Sequence, residues 1–536
     1  MLVFKNNRTM KHSFKTILAT AILLLSLNSC KKSDLNLRPT NDVTAETVYA
    51  NAEGYKQGLV KLYATYALTS AQGSDVSDIG GINSGFADFL RLFWTSQELT
   101  TDEAICAWGD VGIPELNYAT WATDNVFLRG LYSRSVLQIT VCNEFLREST
   151  PDKLAARGIT GAAATDIERY RAEARFLRAY QYWVLLDGFG NPPFITEDDA
   201  IGKTAPKQTT RAALFTYVES ELKAIETGLA APRTNEYGRA DQGAAWALLA
   251  RLYLNAQIYT GTAKYTDAIT YSSKVIAAGY ALKAKYKDLF LADNNVNNLE
   301  TILTINYDGS KGTNYGGTTF LINAAINGDM NPTSYGVPNG GWGGNRTRQN
   351  LPALFPDPNG NADKRGIFFG TKANVDETGV FTDGLRVTKF KSITSTGATP
   401  PSLNGTFSSL DFPLFRLAEQ YLIYGEAVMR GGTGGSTTQA LAYVNALRQR
   451  AYGNAAGNVA TINTDFFLDE RGRELYWEGH RRTDLVRYNK FTEGTYLWPF
   501  KGGVKAGTAI PSFRNIFPIP AADLIANPNL KQNTGY

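Results

Sequence analysis

The segment from Glu168 to Phe194 constrains the fold more than any other. Arg171, Arg175 and Arg178 fall at i, i+4 and i+7, one stripe of a helix, while Ala172, Ala174, Phe176, Leu177, Ala179, Tyr180, Trp183 and Val184 cover most of the rest. A helix with so broad an apolar surface packs on more than one side, and its arginine stripe is expected to face water. Gly188 and Gly190 supply helix-exit geometry, and Asn191-Pro192-Pro193 cannot continue a helix, so the chain turns there. Glu173 lies on the apolar side, where an unpaired carboxylate is costly. Its expected partner is an arginine from this or a neighbouring helix.

The N-terminus reads as an export signal. A basic segment precedes an apolar run from Ile17 to Leu27 that is too short to span a bilayer comfortably, and Leu27-Asn28-Ser29-Cys30 suits cleavage followed by acylation of Cys30. Residues 1–29 are therefore read as a signal peptide and 30–40 as a lipidated tether, anchoring a soluble body to a membrane without embedding it. The whole chain carries 54 Lys and Arg against 50 Asp and Glu, but Lys5, Arg8, Lys11 and Lys15 precede Cys30. The mature body is neutral, with no electrostatic footprint for nucleic acid, and neutral ligands are the natural expectation.

Cys106 and Cys142 are the cysteines of the mature body; they are either a disulfide or two buried thiols. His480 is its one histidine, which excludes a multi-histidine metal site.

Helical periodicity dominates residues 41–305, with paired helices at 123–147 with 168–188 and at 238–259 with 265–278, loosely in the tetratricopeptide pattern. Between 306 and 410 the periodicity fades and Gly, Asn, Thr, Ser and Pro dominate; short strands at 367–370 and 385–390 are expected to brace this ligand-facing excursion. Helices resume across 411–536, including a pair at 414–430 and 437–451 and one highly charged helix at 465–488. Glu470, Glu474 and Glu478 would share one face of that last helix, and nearby Arg471, Arg473, Arg481 and Arg482 make a salt-bridge lattice the economical reading. A glycosidase would need a carboxyl with a raised pKa, which surrounding arginines oppose.

Four ordered blocks carry a resemblance. Glu173-Ala174-Arg175-Phe176-Leu177-Arg178-Ala179-Tyr180 is followed by the Phe189-Gly190-Asn191-Pro192-Pro193 exit; the second block runs from Arg416 to Ala427; the third runs from Glu470 to Leu485; the last joins Phe517-Pro518-Ile519-Pro520 to Asn527-Pro528 and Gln532-Asn533. With the lipid-type cysteine, they resemble the SusD/RagB family of surface lipoproteins that capture nutrients, mostly glycans. The resemblance implies a mostly α, tetratricopeptide-like body with a long loop-rich insertion. It also implies lipid anchoring at the outer membrane, facing the cell surface, and delivery of an oligosaccharide, without catalysis, to a SusC-like TonB-dependent transporter.

The scaffold blocks do not include a ligand region, so binding residues are sought elsewhere. Gly340-Gly341-Trp342-Gly343-Gly344-Asn345-Arg346 is the leading candidate: an exposed indole stacks on the C–H face of a sugar, and Asn345 and Arg346 can donate to hydroxyls, with Tyr335 in the same loop. Trp94 and Trp108, with Asp102 between them, form a second candidate platform, although burial in the core is the favoured reading for each tryptophan. Trp183 and Trp477 are assigned to packing. No cofactor is expected; Asp357-Pro358-Asn359-Gly360-Asn361-Ala362-Asp363 has oxygen atoms at alternating positions, but Ala362 and Phe368 break the calcium-loop pattern, leaving a turn as the stronger reading. A peptide-binding surface lipoprotein on the same scaffold and a glycoside hydrolase are the alternatives.

Overall fold

The computed structural model describes residues 44–202 and 205–536. The signal segment, Cys30 and the tether lie outside them. The described helical turn Ala45–Val48, capped by the Thr44 hydroxyl, belongs to one unit, and Asn51–Tyr536 forms the other.

In the larger unit, α1 (Ala52–Ala67) opens on Asn51, whose side chain accepts from the Gly54 N–H, and α2 (Phe89–Trp94) opens on Asp88 in the same way. Then follow α3 (Val126–Glu148), α4 (Gly161–Gly188), α5 (Arg211–Ala224), α6 (Gln242–Leu254), α7 (Tyr265–Ala277), α8 (Gly317–Asn323), α9 (Leu417–Met429), α10 (Thr437–Tyr452), α11 (Thr464–Leu475) and α12 (Arg481–Arg487). Packing follows chain order in two runs: α3 on α4 on α5, and α6 on α7 on α9 on α10. The body is thus helix-rich and built from stacked pairs, as the periodicity predicts. No described helix is long and apolar enough to cross a membrane.

Eight short strands among the described residues make four antiparallel pairs. β1 (Ile105–Cys106) pairs with β5 (Asn345–Arg346), β2 (Pro193–Phe194) with β3 (Lys207–Gln208), β4 (Thr301–Ile305) with β8 (Phe412–Arg416), and β6 (Phe368–Phe369) with β7 (Arg386–Val387). The last pair falls within the two strand segments expected to brace the loop-rich region. The β1–β5 pair fastens that region to the early loop, which fixes the geometry of the candidate site.

α4 departs from expectation on its charged side. Arg175 grips Glu221 through Nε at 3.0 Å and Nη2 at 2.7 Å; Arg178 is 2% exposed and donates to Asn143 on α3 and to Glu221 on α5. Arg171 and Arg175 are half-buried and only Arg178 is fully buried, because the helices on both sides supply acceptors. Glu173 finds its arginine, Arg239, in the loop before α6, with Nε at 3.0 Å, and also accepts from the Tyr63 hydroxyl at 2.7 Å.

The expected helix at 465–488 is two. Trp477 and Gly479 take φ of +63° and +82°, and their N–H groups turn aside to the buried carboxyl groups of Glu103 and Glu98. Glu470 and Glu474 remain on α11, and Glu478 follows the break. All three are buried and ion-paired, yet of the nearby arginines only Arg473 joins them. Their main partners come from afar: Arg365 and Arg448 on Glu470, Arg365, Arg416 and Arg450 on Glu474, and Arg416 with Lys389 on Glu478. A second buried pair, Arg251 with Glu419, joins α6 to α9.

Candidate ligand surface

Helix α8 has seven residues, and it positions an aromatic ring at each end. At its start, Asn314 accepts from the Gly316 N–H, and Asp88 accepts from the Gly317 N–H at 3.0 Å, so a carboxylate already occupies the helix N-terminus. Tyr315 is held in that turn, 37% exposed, with its ring 5.2 Å from the buried Phe407.

At its end, the carbonyls that a helix leaves unbonded are taken by the glycine-rich loop. Asn323 O accepts from the Trp342 N–H at 2.7 Å, Ile326 O from Gly343 at 2.9 Å, and Ala324 O from Asn345 at 2.8 Å. Glycine is required for this approach. A Cβ on Gly341 would stand 2.2 Å from Ile326 O, and one on Gly344, at φ +112°, would stand 2.3 Å from the Trp108 Nε1.

Trp342, half-buried, stands 6.4 Å from Tyr315 between ring centroids, with the planes inclined at 50°. Phe381, 37% exposed, borders Gly343. The Ala107 N–H donates to Gly344 O at 2.9 Å, which brings the half-buried Trp108 beside the same loop. Two regions read as separate platforms therefore share one paired backbone. Behind them Arg91 lies 4.4 Å over the Phe320 ring and 5.4 Å from that of Trp108, donating to Gly85 O at 2.6 Å. Burial lowers its pKa to about 10, so it stays charged at neutral pH.

Four expected ligand residues are structural instead. Trp94 is fully buried, edge-on to Trp477 and Phe320, and offers no face to a ligand. Asp102 is buried against Arg481 in a two-armed ion pair at 2.8 and 2.7 Å and accepts from the Tyr496 hydroxyl at 2.6 Å. Arg346 spends its guanidinium on the backbone oxygens of Asp383, Gly344 and Thr378, clamping the loop. Asn345 is fully buried with neither amide atom hydrogen-bonded. Adjacent on β5, the two side chains point to opposite faces, and both faces are covered, which residue type alone does not give.

Tyr335 is half-buried but belongs elsewhere, with its ring 5.2 Å from the Lys391 ammonium. Tyr315, Arg91 and Phe381 were not anticipated. The signal for Tyr315 was its place between Asn314 and Gly316-Gly317, a turn before a helix.

Other motifs resolve as scaffold. The Asp357 carboxylate accepts from the N–H groups of Asn359, Asn361 and Ala362, forming a turn. Cys106 and Cys142 are buried free thiols, both pushed up to about 12 by burial. Trp183 and Trp477 pack in the core.

Against known proteins, residues 370–536 match the profile described as SusD family, and residues 118–254 match one described as starch-binding associating with outer membrane. The chain is 35% identical to the starch-binding protein SusD of Bacteroides thetaiotaomicron, across 96% of this chain and 97% of that one.

The chain belongs to the SusD family.

Solved SusD-type structures share its fold. A laminarin-binding SusD-like protein superposes with a TM-score of 0.69 at 24% identity, covering 91% of this chain and all of that one. Surface glycan-binding protein A from Bacteroides uniformis gives 0.68 at 20% identity, over 90% of this chain and 99% of its own. The B. thetaiotaomicron relative and this structural neighbour are named as binding proteins, and the profile matched at 118–254 is described by outer-membrane association.

Proposed function

We propose that this chain is a non-catalytic, cell-surface binding protein that takes a neutral oligosaccharide on the aromatic surface around Trp342 and Tyr315 and delivers it to a SusC-like TonB-dependent transporter, held at the outer membrane by lipid on Cys30. The carrying observation is the α8 frame, which presents two partly exposed rings from opposite ends of one rigid element. Sugar C–H faces stack on such rings. Planes inclined at 50° cannot both lie against a flat, ribbon-like chain; they suit a curved one, which favours a helical α-glucan. The 35% identity to a starch-binding protein supports the same substrate class.

Glu470 in the charged cluster is a poor candidate for a catalytic acid. Burial raises the Glu470 pKa, but Arg365, Arg473 and Arg448 more than offset this and hold it at about 2, so it cannot donate a proton at neutral pH.

The test is calorimetric titration of the full chain with maltoheptaose, laminarihexaose and cellohexaose, beside Trp342→Ala and Tyr315→Ala. Maltoheptaose binding that falls about tenfold or more in both variants supports the reading. Absence of binding to all three glycans by the folded native chain overturns it.

A further inference from the structure

Away from the aromatic surface, a cavity of 560 Å³ opens between the segments 284–291, 364–367, 388–397 and the end of α10. Its lining carries six basic side chains and no Asp or Glu. Two of the six form the floor and are neutralised from below: Lys389 by Glu478, Nζ to Oε1 at 2.6 Å, and Arg450 by Glu300 at 2.7 Å.

The other four, Lys285, Lys287, Lys364 and Lys391, make no ion pair among the described residues. The nearby Asp293 carboxylate is already taken by Ser395, through its N–H at 2.8 Å and its hydroxyl at 2.6 Å. Lys364 leans over Gly453 at the C-terminus of α10, and Lys391 is half-buried against Tyr335. Burial, then the charge of Lys287, depresses the Lys391 pKa.

Four like charges from three chain segments around one concavity repel one another, and an anion placed among them relieves the repulsion. The enclosure has the size of a small-molecule site rather than a flat protein-docking surface. We propose that this pocket is a second, anion-selective saccharide site, taking the carboxylate or sulfate groups of an acidic sugar. A body neutral in total charge thereby carries one local site for charged glycans.

Titration of the full chain at low ionic strength tests this with a trisulfated heparin disaccharide, trigalacturonate, neutral maltohexaose and tetraglutamate. At least one acidic saccharide is expected to bind, more weakly as salt is added. Lys287→Gln with Lys364→Gln should weaken it about tenfold, as should Lys391→Gln, because each removes a charge-assisted contact. Lys56→Gln with Lys61→Gln on α1, and Trp342→Ala, should leave it unchanged. The sulfated and uronate arms identify which anion the site takes.

The proposal is overturned if neither acidic saccharide binds, if the α1 lysines matter equally, or if tetraglutamate alone binds. Loss of the acidic saccharide in Trp342→Ala also overturns it, by placing the ligand on the aromatic surface. Both exposed-lysine changes lie at the surface, and unaltered circular dichroism separates lost affinity from lost folding.

Discussion

Arg416 meets Glu478 through two hydrogen bonds, Nε to Oε2 at 2.7 Å and Nη2 to Oε1 at 2.8 Å, with both side chains buried. The same guanidinium reaches Glu474 at 2.6 Å and Glu300 at 3.1 Å. Arg416→Ala would strip one buried cation from Glu300, Glu474 and Glu478, leaving Arg450, Arg365 and Lys389 to hold three carboxylates, at a cost of about 3–5 kcal/mol. Urea unfolding should show a lower midpoint with an unchanged slope. A loss below about 1 kcal/mol would mean the carboxylates find other partners.

The buried carboxyls work in opposite directions with pH. Glu470 has its pKa lowered from 4.5 to about 2, so its contribution is full above the unfolded value and is lost as pH falls toward 2. Burial pushes Glu98 and its neighbour Glu103 up, so their folded forms hold protons that the unfolded chain has released, and stability falls as pH rises through their raised values. Glu98→Gln, which mimics the protonated acid, should therefore gain more stability over the native chain at pH 8 than at pH 5. Denaturant midpoints at the two pH values measure this; an equal shift at both would count against it.

Gly344→Ala should cost about 1–3 kcal/mol locally, because φ is +112° and the new methyl would strike Trp108. Glycan affinity should fall with it, since the loop could no longer hold Trp342 beside Tyr315. Retained affinity together with retained stability would show that the loop does not set the ring geometry.

Cys106 and Cys142 should resist alkylation in the native chain and react once it is unfolded, because burial keeps both thiols protonated and enclosed. Site-resolved mass spectrometry after iodoacetamide treatment reads both. Rapid native labelling at either site would contradict the burial.

The helical scaffold was legible because its signals are local: the spacing on α4, the glycine-proline exit after it and the resumption of helices beyond residue 410. What failed was long-range. The α4 arginines looked wet because Glu221 and Asn143 are distant in sequence. Helix α11 was overextended because Glu98 and Glu103, far upstream, draw the backbone N–H groups aside. In the candidate site, the glycines suggest an exposed indole, whereas Trp342 is half-buried and its loop is tied to the end of α8. Burial on β5, though, follows from the β1 pairing and from packing that covers both of its faces, and those distant partners are invisible in one chain read alone.

The pair between Arg251 and Glu419 divides its charges between the two separately matched stretches, residues 118–254 and 370–536. Asp102 and Arg481 divide theirs across a still longer interval. Neither matched stretch, lifted out alone, could neutralise its own interior. Exchange of one stretch with a distant relative would therefore succeed only where the incoming segment brings a complementary charge, and substitutions at positions 251 and 419 should be inherited together.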